Sequence, residues 1–394
     1  MELLSTPRGQ LRLLRYPPDP RDQLRAWDSA DELLLRHLDE SELRPRVGDE
    51  HSDGETVVVN DRWGAITAAL IHRRPVSISD SFLAQAAARA NLDGNNLPVQ
   101  AAALRTVLDP APQRIDLLIV RVPRSLALLE YELARLAPAC HQRTVVVGAG
   151  RVSDIHTSTL RVFERVLGPT TTSLAERKSR LIFCTPTAER LSVAEPEPTT
   201  LEVDLDGGAA SGRRLIQYPG VFSADHLDVG TRLLLQALPV TAGPEQVVDL
   251  GCGNGVLGIA AAAANADAHV LFADESELAV ASARAGFEHN FGRDRPARYV
   301  FGDGLAGADL HVTVDRVLNN PPFHTHQART DATAWRMFGQ ARDALRAGGE
   351  LWVVGNRHLG YHVKLSRIFG GCRVMASNPR FVVLRAVRHG RAGL

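Results

Sequence analysis

Hydrophobic and polar positions alternate between short β-type runs and Ala/Leu-rich helical stretches, in two successions separated by a loose middle. In the C-terminal half, Gln246 to Leu250 (QVVDL) is a nearly unbroken apolar run, which predicts a strand buried on both faces. GCGNG follows, and then an apolar helix from Val256 to about Ala264. HVLFAD predicts a second strand ending at Asp274, with ESELAVASARAGFEHN as its helix. RYVFGD, ending at Asp303, predicts a third strand, and DRVLNNPPF, Asp315 to Phe323, a fourth. A helix over Ala332 to Ala347, the strand ELWVVGN and a β-rich stretch from Phe381 to Val387 complete the half. Strands alternating with helices in this manner specify a parallel α/β sheet.

The N-terminal half repeats the order. Glu55 to Leu70 (ETVVVNDRWGAITAAL) lies over EQVVDLGCGNGVLGIA with Gly64 against Gly255, and SISDSFLAQAAARANL puts Asp80 where Asp274 stands. RIDLLIVRVPR sets Arg121, Val122, Pro123 and Arg124 against Asn320, Pro321, Pro322 and Phe323, and RTVVVGAGR resembles ELWVVGNRH. Four segments in the same order mark a duplicated fold. In the first copy Val58 replaces Asp249, and Asn60 and Arg62 replace Gly251 and Gly253. Sheet-forming residues persist while those able to do chemistry are lost, so the first copy is read as catalytically dead.

A length of 394 residues fits two domains better than one core. Pro196, Pro198, Gly207, Gly208 and Gly212 lie among polar residues between Leu191 and Arg214, which also holds one strand-like run, LEVDLD. The expected division is a degenerate domain over 1–195, a linker over 196–211 and a catalytic domain over 212–394.

Apolar content of 44% and charged content of 23% exclude a disordered chain, and the formal net charge of zero leaves nucleic-acid binding to local patches. Lys178 and Lys364 are the only lysines, so those patches would be arginine-built. Cys140, Cys184, Cys252 and Cys372 are far apart with no CxxC spacing, which predicts neither zinc nor disulfides and suits a reducing cytosol. The opening residues have no apolar run of signal-peptide length, and nothing approaches a membrane span, so a cytoplasmic protein is expected. Two fused copies would let a monomer suffice.

The candidate chemistry gathers at strand ends. Glycines 251, 253 and 255 allow a sharp turn and close backbone approach to a ligand, and the helix beyond offers unpaired N–H groups. Nucleotide dehydrogenases carry a similar loop, so the acids decide. Asp249 precedes the glycines. Asp274, about 20 residues beyond the loop, is placed for both ribose hydroxyls of a nucleoside, and Asp303 for the adenine amino group. Asn320-Pro321-Pro322-Phe323 falls at the C-terminal end of the fourth strand, where ligands sit in open α/β sheets. The prolines stiffen the chain and turn its carbonyls to the pocket. The Asn320 oxygen and Pro321 carbonyl can accept both hydrogens of an exocyclic amine, and Phe323 offers a face for a base to stack on. Such a site works by positioning and by hydrogen bonds that strengthen as charge develops. His324 and His326 are read as substrate-facing polar groups, without a metal or base role, and Asn319 has no assigned role.

These residues resemble the ribosomal-RNA guanine-N2 methyltransferases, which carry a degenerate copy ahead of an active domain, and within them the enzymes acting on large-subunit (23S) rRNA. The likeness covers nearly the whole chain, including AWDSADELLLRHL, VPRSLALLE and DIHTSTLRVFERVLGPTTTSLA in the first half and VFSADHLDVGTR and NNPPFHTHQARTDATAWRMF in the second. It implies two tandem class I methyltransferase-like (Rossmann-like) domains and methyl transfer from S-adenosylmethionine to guanine N2. Asp249, Gly251, Gly253, Gly255, Asp274, Asp303 and Asn320 would serve the cofactor, and Asn320 to Phe323 the guanine. Phe222 and Asp228 would close over the methionine end. The first copy would orient rRNA, with Arg121, Arg124, Arg177, Lys178 and Arg180 as phosphate contacts; the basic tail RAVRHGRAGL is a further candidate.

The Asn-Pro-Pro-aromatic motif alone also fits methylation of adenine N6 or of a protein glutamine, and 16S rRNA is the nearest alternative substrate. A non-catalytic RNA-binding protein on the same fold is the rival of another class; it predicts no cofactor binding.

Overall fold

The structure, a computed structural model, describes residues 3–19, 22–40, 54–192, 194–203, 210–223, 226–308, 313–322 and 327–390. It divides into two compact units, Met1–Glu197 and Pro198–Leu394. Each is built around one seven-stranded sheet.

In the first unit the strands are β1 (Glu55–Val59), β2 (Val76–Ile78), β3 (Ala103–Arg105), β4 (Ile115–Arg121), β5 (Val145–Arg151), β6 (Thr170–Thr172) and β7 (Ser179–Cys184). In the second they are β8 (Glu245–Leu250), β9 (Ala268–Asp274), β10 (Ala297–Phe301), β11 (Val314–Asn319), β12 (Leu345–Asn356), β13 (Arg373–Ser377) and β14 (Phe381–Val387). The spatial orders are β3-β2-β1-β4-β5-β7-β6 and β10-β9-β8-β11-β12-β14-β13, the same permutation twice. In both, five parallel strands are closed by an antiparallel pair. The helices are α1 (Ser29–Glu40), α2 (Ala65–Ala69), α3 (Phe82–Gly94), α4 (Leu126–Leu136) and α5 (Thr157–Val166) in the first unit. The second has α6 (Val229–Ala237), α7 (Val256–Ala264), α8 (Glu277–Phe291), α9 (Gln327–Ala344) and α10 (Tyr361–Phe369).

Side chains of a strand alternate between faces, and both faces of the second sheet are covered. Val247, Phe272, Leu318 and Trp352 pack on one side with α7 and α8 residues such as Leu257, Ile259 and Phe287. Val248, Leu271, Val317 and Leu351 pack on the other with Phe338 of α9 and Leu365 of α10. Two-sided burial explains why these strands read as apolar runs.

The duplication extends to single residues. Gly255 and Gly64 cap α7 and α2 in the left-handed region, at φ 80° and 76°. A Cβ at Gly255 would lie 2.8 Å from that of Ala283, and one at Gly64 2.4 Å from the Ala88 Cα. Gly251 (φ 69°) is matched by Asn60 (φ 62°), asparagine being one of the few other residues that visit this region. The Gly251 N–H donates to the Ala273 carbonyl at 2.8 Å, and the Asn60 N–H to the Ile78 carbonyl at 2.9 Å. That register corrects one expected equivalence: Ser79, not Asp80, stands where Asp274 does. Ser79 Oγ accepts the Ser81 N–H at 3.2 Å just as Asp274 Oδ1 accepts the Ser276 N–H at 3.0 Å. The expected match paired acid with acid, whereas Ser79 and Asp274 each lie two residues before the N-cap serine of the following helix, Ser81 and Ser276.

Two boundaries differ from the sequence reading. Within the segment 196–211, Thr199–Glu202 pairs antiparallel with Arg214–Gln217, and Leu201, Val203 and Ala210 pack into the core of the second unit. Helix α9 ends at Ala344, and β12 starts at Leu345, which pairs with Val314 of β11.

Candidate active site

At the end of β8 the chain loses its strand partners and turns through Gly251 to Gly255 into α7. The loop is held from two sides. The Gly251 and Cys252 N–H groups both donate to the Ala273 carbonyl, at 2.8 and 3.1 Å. The Gly253 N–H donates to Asp274 Oδ2 at 2.9 Å. With Oδ1 accepting from Ser276 and a further backbone hydrogen bond from Glu275, Asp274 shapes the loop and keeps acceptor capacity for a ligand. Burial raises its pKa above the ordinary aspartate value, against the backbone hydrogen bonds from Gly253, Ser276 and Glu275.

Asp249 is fully buried under the loop and accepts the Gly258 N–H in the first turn of α7 at 2.8 Å. Burial pushes it up to about 8, and its Oδ1 has no hydrogen-bond partner. Beneath the glycines rather than beside them, it supports the loop from behind. Cys252 is likewise buried and its thiol is held far above its ordinary range, so it is no nucleophile.

Asp303 stands two residues past β10, in a turn. Arg336 Nη2 of α9 pairs with its Oδ1 at 3.0 Å. Gln340 bridges the turn, donating to the Asp303 carbonyl at 2.9 Å and accepting the Leu305 N–H at 3.1 Å. Arg336 and Gln340 escaped the sequence reading; nothing but their spacing of one helical turn on α9 could have flagged them.

Asn320 follows the last residue of β11. Its Nδ2 donates to Thr231 Oγ1 at 2.8 Å and, more weakly, to Asp228 Oδ2 at 3.4 Å. Asp228 is the N-cap of α6 and takes both the Thr231 N–H, at 2.9 Å, and its hydroxyl, at 3.3 Å. A carboxylate only accepts, so the amide nitrogen must face it and Oδ1 must point away. That oxygen is buried without a partner. A buried acceptor left unmade costs about 1–3 kcal/mol, which a ligand N–H would recover. Asp228 therefore orients Asn320 from behind, and Thr231 is a functional residue the sequence reading missed. Pro321 is buried and Pro322 exposed, while Phe323, His324 and His326 lie outside the described residues. Phe222 is 51% exposed in the turn before α6.

Asn319 gains a role. It is completely buried, and its Nδ2 donates to the Leu250 carbonyl at 2.6 Å. It ties the strand carrying Asn320 to the residue from which the glycine loop departs.

The loop, Asp274 and Asn320 thus share the C-terminal edge of the sheet, around its central strands β9, β8 and β11, with Asp303 just beyond β10. A Cβ at Gly253 (φ 52°) would meet nothing within 4 Å, so open space lies over the loop beside Asp274. Backbone that can be approached closely, a strand-end carboxylate and an orphaned acceptor fit a nucleoside carrying a reactive group near Asn320. A cavity of about 210 Å³ at the other end of the strands, lined by Gln246, Val270, Leu271 and Ala297, contains none of these residues. No metal-binding cluster of His, Cys, Asp and Glu occurs among the described residues, and no helix among them is long and apolar enough to cross a membrane.

The first unit has lost this arrangement. Arg121, at the position of Asn320, is clamped by Asp28 and Asp31, each at 3.0 Å, and is unavailable to phosphate, contrary to the sequence expectation. Arg177 is paired with Glu32 at 3.4 Å. Asp61 has taken over the work of Asp249, accepting the Thr67 N–H at 2.7 Å from a loop position. Glu132 of α4 is buried and accepts from Asn60 Nδ2 at 2.7 Å, and burial pushes it up to about 8. Between an unfolded value near 4.5 and about 8 the folded chain binds the extra proton, so this group lowers stability as pH rises through that window. Glu132→Gln keeps the acceptor and removes the charge. Its stability relative to wild type is expected to climb between pH 5 and 8, by at most about 1.4 kcal/mol per unit. Parallel denaturation curves across that range test it, and a constant difference would rule the effect out.

Comparison with known proteins gives a consistent picture. Residues 1–188 match the model of the RLMG N-terminal domain, and residues 212–385 that of the methyltransferase small domain. A ribosomal RNA large subunit methyltransferase G of Streptomyces avermitilis is 56% identical, over 98% of this chain and 99% of its own. Its namesake in Aeromonas hydrophila is 43% identical over 98% and 99%. Among solved structures, a T. thermophilus 16S rRNA N2 G1207 methyltransferase in complex with AdoMet and guanosine aligns over 98% of both chains, with a TM-score of 0.73 and 22% identity. At that identity the likeness is one of fold.

Proposed function

The chain belongs to the ribosomal RNA large subunit methyltransferase G family and is an S-adenosylmethionine-dependent rRNA methyltransferase; from this premise we propose that it methylates the exocyclic N2 of a guanine in 23S rRNA. The observation that carries the reading is the Asn320 amide, whose nitrogen is engaged by Thr231 and Asp228 while its buried oxygen awaits a donor. An exocyclic amine has two N–H donors, and Asn320 Oδ1 and the Pro321 carbonyl take one each. Bound S-adenosylmethionine supplies an electrophilic sulfonium methyl group. Holding both N–H bonds draws the amine lone pair out of conjugation with the ring, and the two acceptors stabilise the positive charge that develops on nitrogen. The methylated nitrogen then sheds one proton to water, so no strong base is required. Phe323 supplies the stacking face for the guanine.

Gly251, Gly253 and Gly255 form the cradle for the cofactor, Asp274 takes its ribose and Asp303 its adenine amine, while Asp249 supports the loop. Gln340 fixes the Asp303 turn through two hydrogen bonds to its backbone, so Gln340→Leu is expected to weaken S-adenosylmethionine binding about tenfold. Turnover at saturating cofactor should stay within about threefold of wild type; a loss confined to turnover would contradict the assignment.

Large-subunit rRNA is favoured by the names of the relatives aligned over the full chain. The degenerate first domain orients the RNA, and the reaction takes place in the cytoplasm with the ribosome. The deciding experiment is transfer of label from S-adenosylmethionine to protein-free 23S and 16S rRNA, followed by nucleoside analysis. N2-methylguanosine from 23S rRNA alone is the expected result. Label in 16S rRNA would keep the chemistry and change the target, and label in adenine or protein would overturn the choice of base.

A further inference from the structure

Adenine and cytosine also carry exocyclic amines, so a site selective for guanine must meet its N1–H and O6 as well as its amine. Asn356, the last residue of β12, is placed for that edge. Leu318 and Asn319 of β11 pair with Trp352 and Val353, so Asn320 stands beside Val354, and Asn356 lies two residues further along. Strand side chains alternate, and Leu318, Trp352 and Val354 all pack on the side of α6 and α7. Asn320 faces that side through Thr231, and Asn356 shares it. Phe381, directly opposite Asn356 on β14, packs there too: a Cβ at Gly230, in the first turn of α6, would lie 3.1 Å from its ring. Gly230 stands between Asp228 and Thr231, the two residues that hold Asn320. Asn356 is half-buried, and among the described residues its amide has no hydrogen-bond partner.

The first unit shows the same corner with longer side chains. Arg151 takes the place of Asn356: it pairs with Ser179 at the start of β7 as Asn356 does with Phe381 at the start of β14. Asp28 precedes α1 as Asp228 precedes α6, and its Oδ1 accepts the Ala30 and Asp31 N–H groups at 2.9 and 3.3 Å. Both arginines reach that one carboxylate, Arg121 at 3.0 Å and Arg151 at 3.7 Å. The positions of Asn320 and Asn356 therefore converge on the start of the same helix. Where the first copy fills the corner with two guanidinium groups, the second carries two shorter amides and leaves that volume to a ligand.

We infer that Asn356 reads the guanine: its Oδ1 accepts N1–H and its Nδ2 donates to O6, while Asn320 and Pro321 hold N2. The inference rests on the guanine-N2 reading above. A carboxamide presents one acceptor and one donor side by side, and N1–H and O6 are their complement in one plane. An adenine held by its own amine would bring N1, an acceptor, and then C2–H, so only one of the two amide groups would find a partner. A polar site left half-paired rejects the wrong base.

The test compares full-length wild type with Asn356→Ala and Asn356→Asp, after the guanosine that wild type methylates in 23S rRNA has been mapped. Two 23S rRNAs are assembled by ligation, one with guanosine at the target and one with 2-aminopurine riboside, which keeps the C2 amine but lacks O6 and the N1 hydrogen. Asn356→Ala is expected to lower kcat/KM on guanosine about 100-fold, two hydrogen bonds at roughly tenfold each, and on 2-aminopurine by no more than about threefold. The intrinsic difference between the two amines cancels, because each base is compared with itself. Asn356→Asp keeps the shape but sets a carboxylate oxygen against O6, and should be slower on guanosine than Asn356→Ala. S-adenosylmethionine affinity and thermal midpoint should match wild type in both variants, which separates lost recognition from misfolding. Equal losses on the two bases, an undiminished rate on guanosine, or an aspartate variant faster than the alanine variant would overturn the inference. If wild type methylates guanine N2 and the variants discriminate as it does, only the role of Asn356 is wrong. If wild type leaves guanine N2 in 23S rRNA unmethylated, both readings fall.

Discussion

Asn320→Ala is expected to lower turnover by about 10²–10³-fold while leaving S-adenosylmethionine affinity within about twofold of wild type. The asymmetry follows from where the side chain looks. Its Nδ2 is spent on Thr231 and Asp228, behind the site, and its Oδ1 is the orphaned acceptor. Truncation removes a hydrogen bond that strengthens only as the amine nitrogen gains charge, so the loss appears in kcat. Thr231→Val isolates the orienting role: it deletes the hydroxyl at 2.8 Å and lets the amide turn over. A fall of about tenfold in kcat, recovered by Thr231→Ser, distinguishes orientation from packing. Calorimetry with S-adenosylmethionine, paired with rapid-quench methyl transfer, measures both parameters. Wild-type kcat in Asn320→Ala would sink the mechanism.

Asp274→Ala is expected to produce the opposite profile, with S-adenosylmethionine affinity reduced about 100-fold. Two losses combine: the ribose acceptor disappears, and so do the bonds that fix Gly253 and Ser276. Asp274→Asn should be nearly as damaging, because one of its two positions then presents an N–H to a backbone N–H. Cofactor titration followed by intrinsic fluorescence or calorimetry reads the loss directly. An Asn variant that binds like wild type would show that Asp274 acts on the loop through one oxygen alone.

Much of this architecture was legible in the chain. Two-sided burial made the strands of the second sheet into apolar runs, and the Gly64/Gly255 correspondence followed from aligning the loops. Local patterns could not reveal what depends on distant pairing. Thr231 meets Asn320 across 89 positions, and Gln340 reaches the Asp303 turn across 37. The one-residue error at Asp80 has the same root: which residue ends a strand is set by its neighbour's register, here Asn60 against Ile78. Arg121 was misread as a phosphate contact because a sequence shows that an arginine is present but not that Asp28 and Asp31 have already claimed it. The strand expected inside the apparent linker is found over Thr199–Glu202, where it pairs with Arg214–Gln217 over the second core.

The last glycine of the loop carries a warning for anyone sorting gene copies into working and silent ones. Gly64 persists in a domain whose remaining site has gone, because a helix crosses too near at Ala88 to admit any side chain. That glycine is a fossil of the fold, preserved by crowding and indifferent to whether a reaction still takes place above it. A survey that scored it as a mark of activity would count inactive domains among the enzymes. The neighbouring position is the better witness: a Cβ at Gly253 would meet nothing within 4 Å, so crowding does not hold that glycine in place, and the first copy carries arginine at the matching position 62.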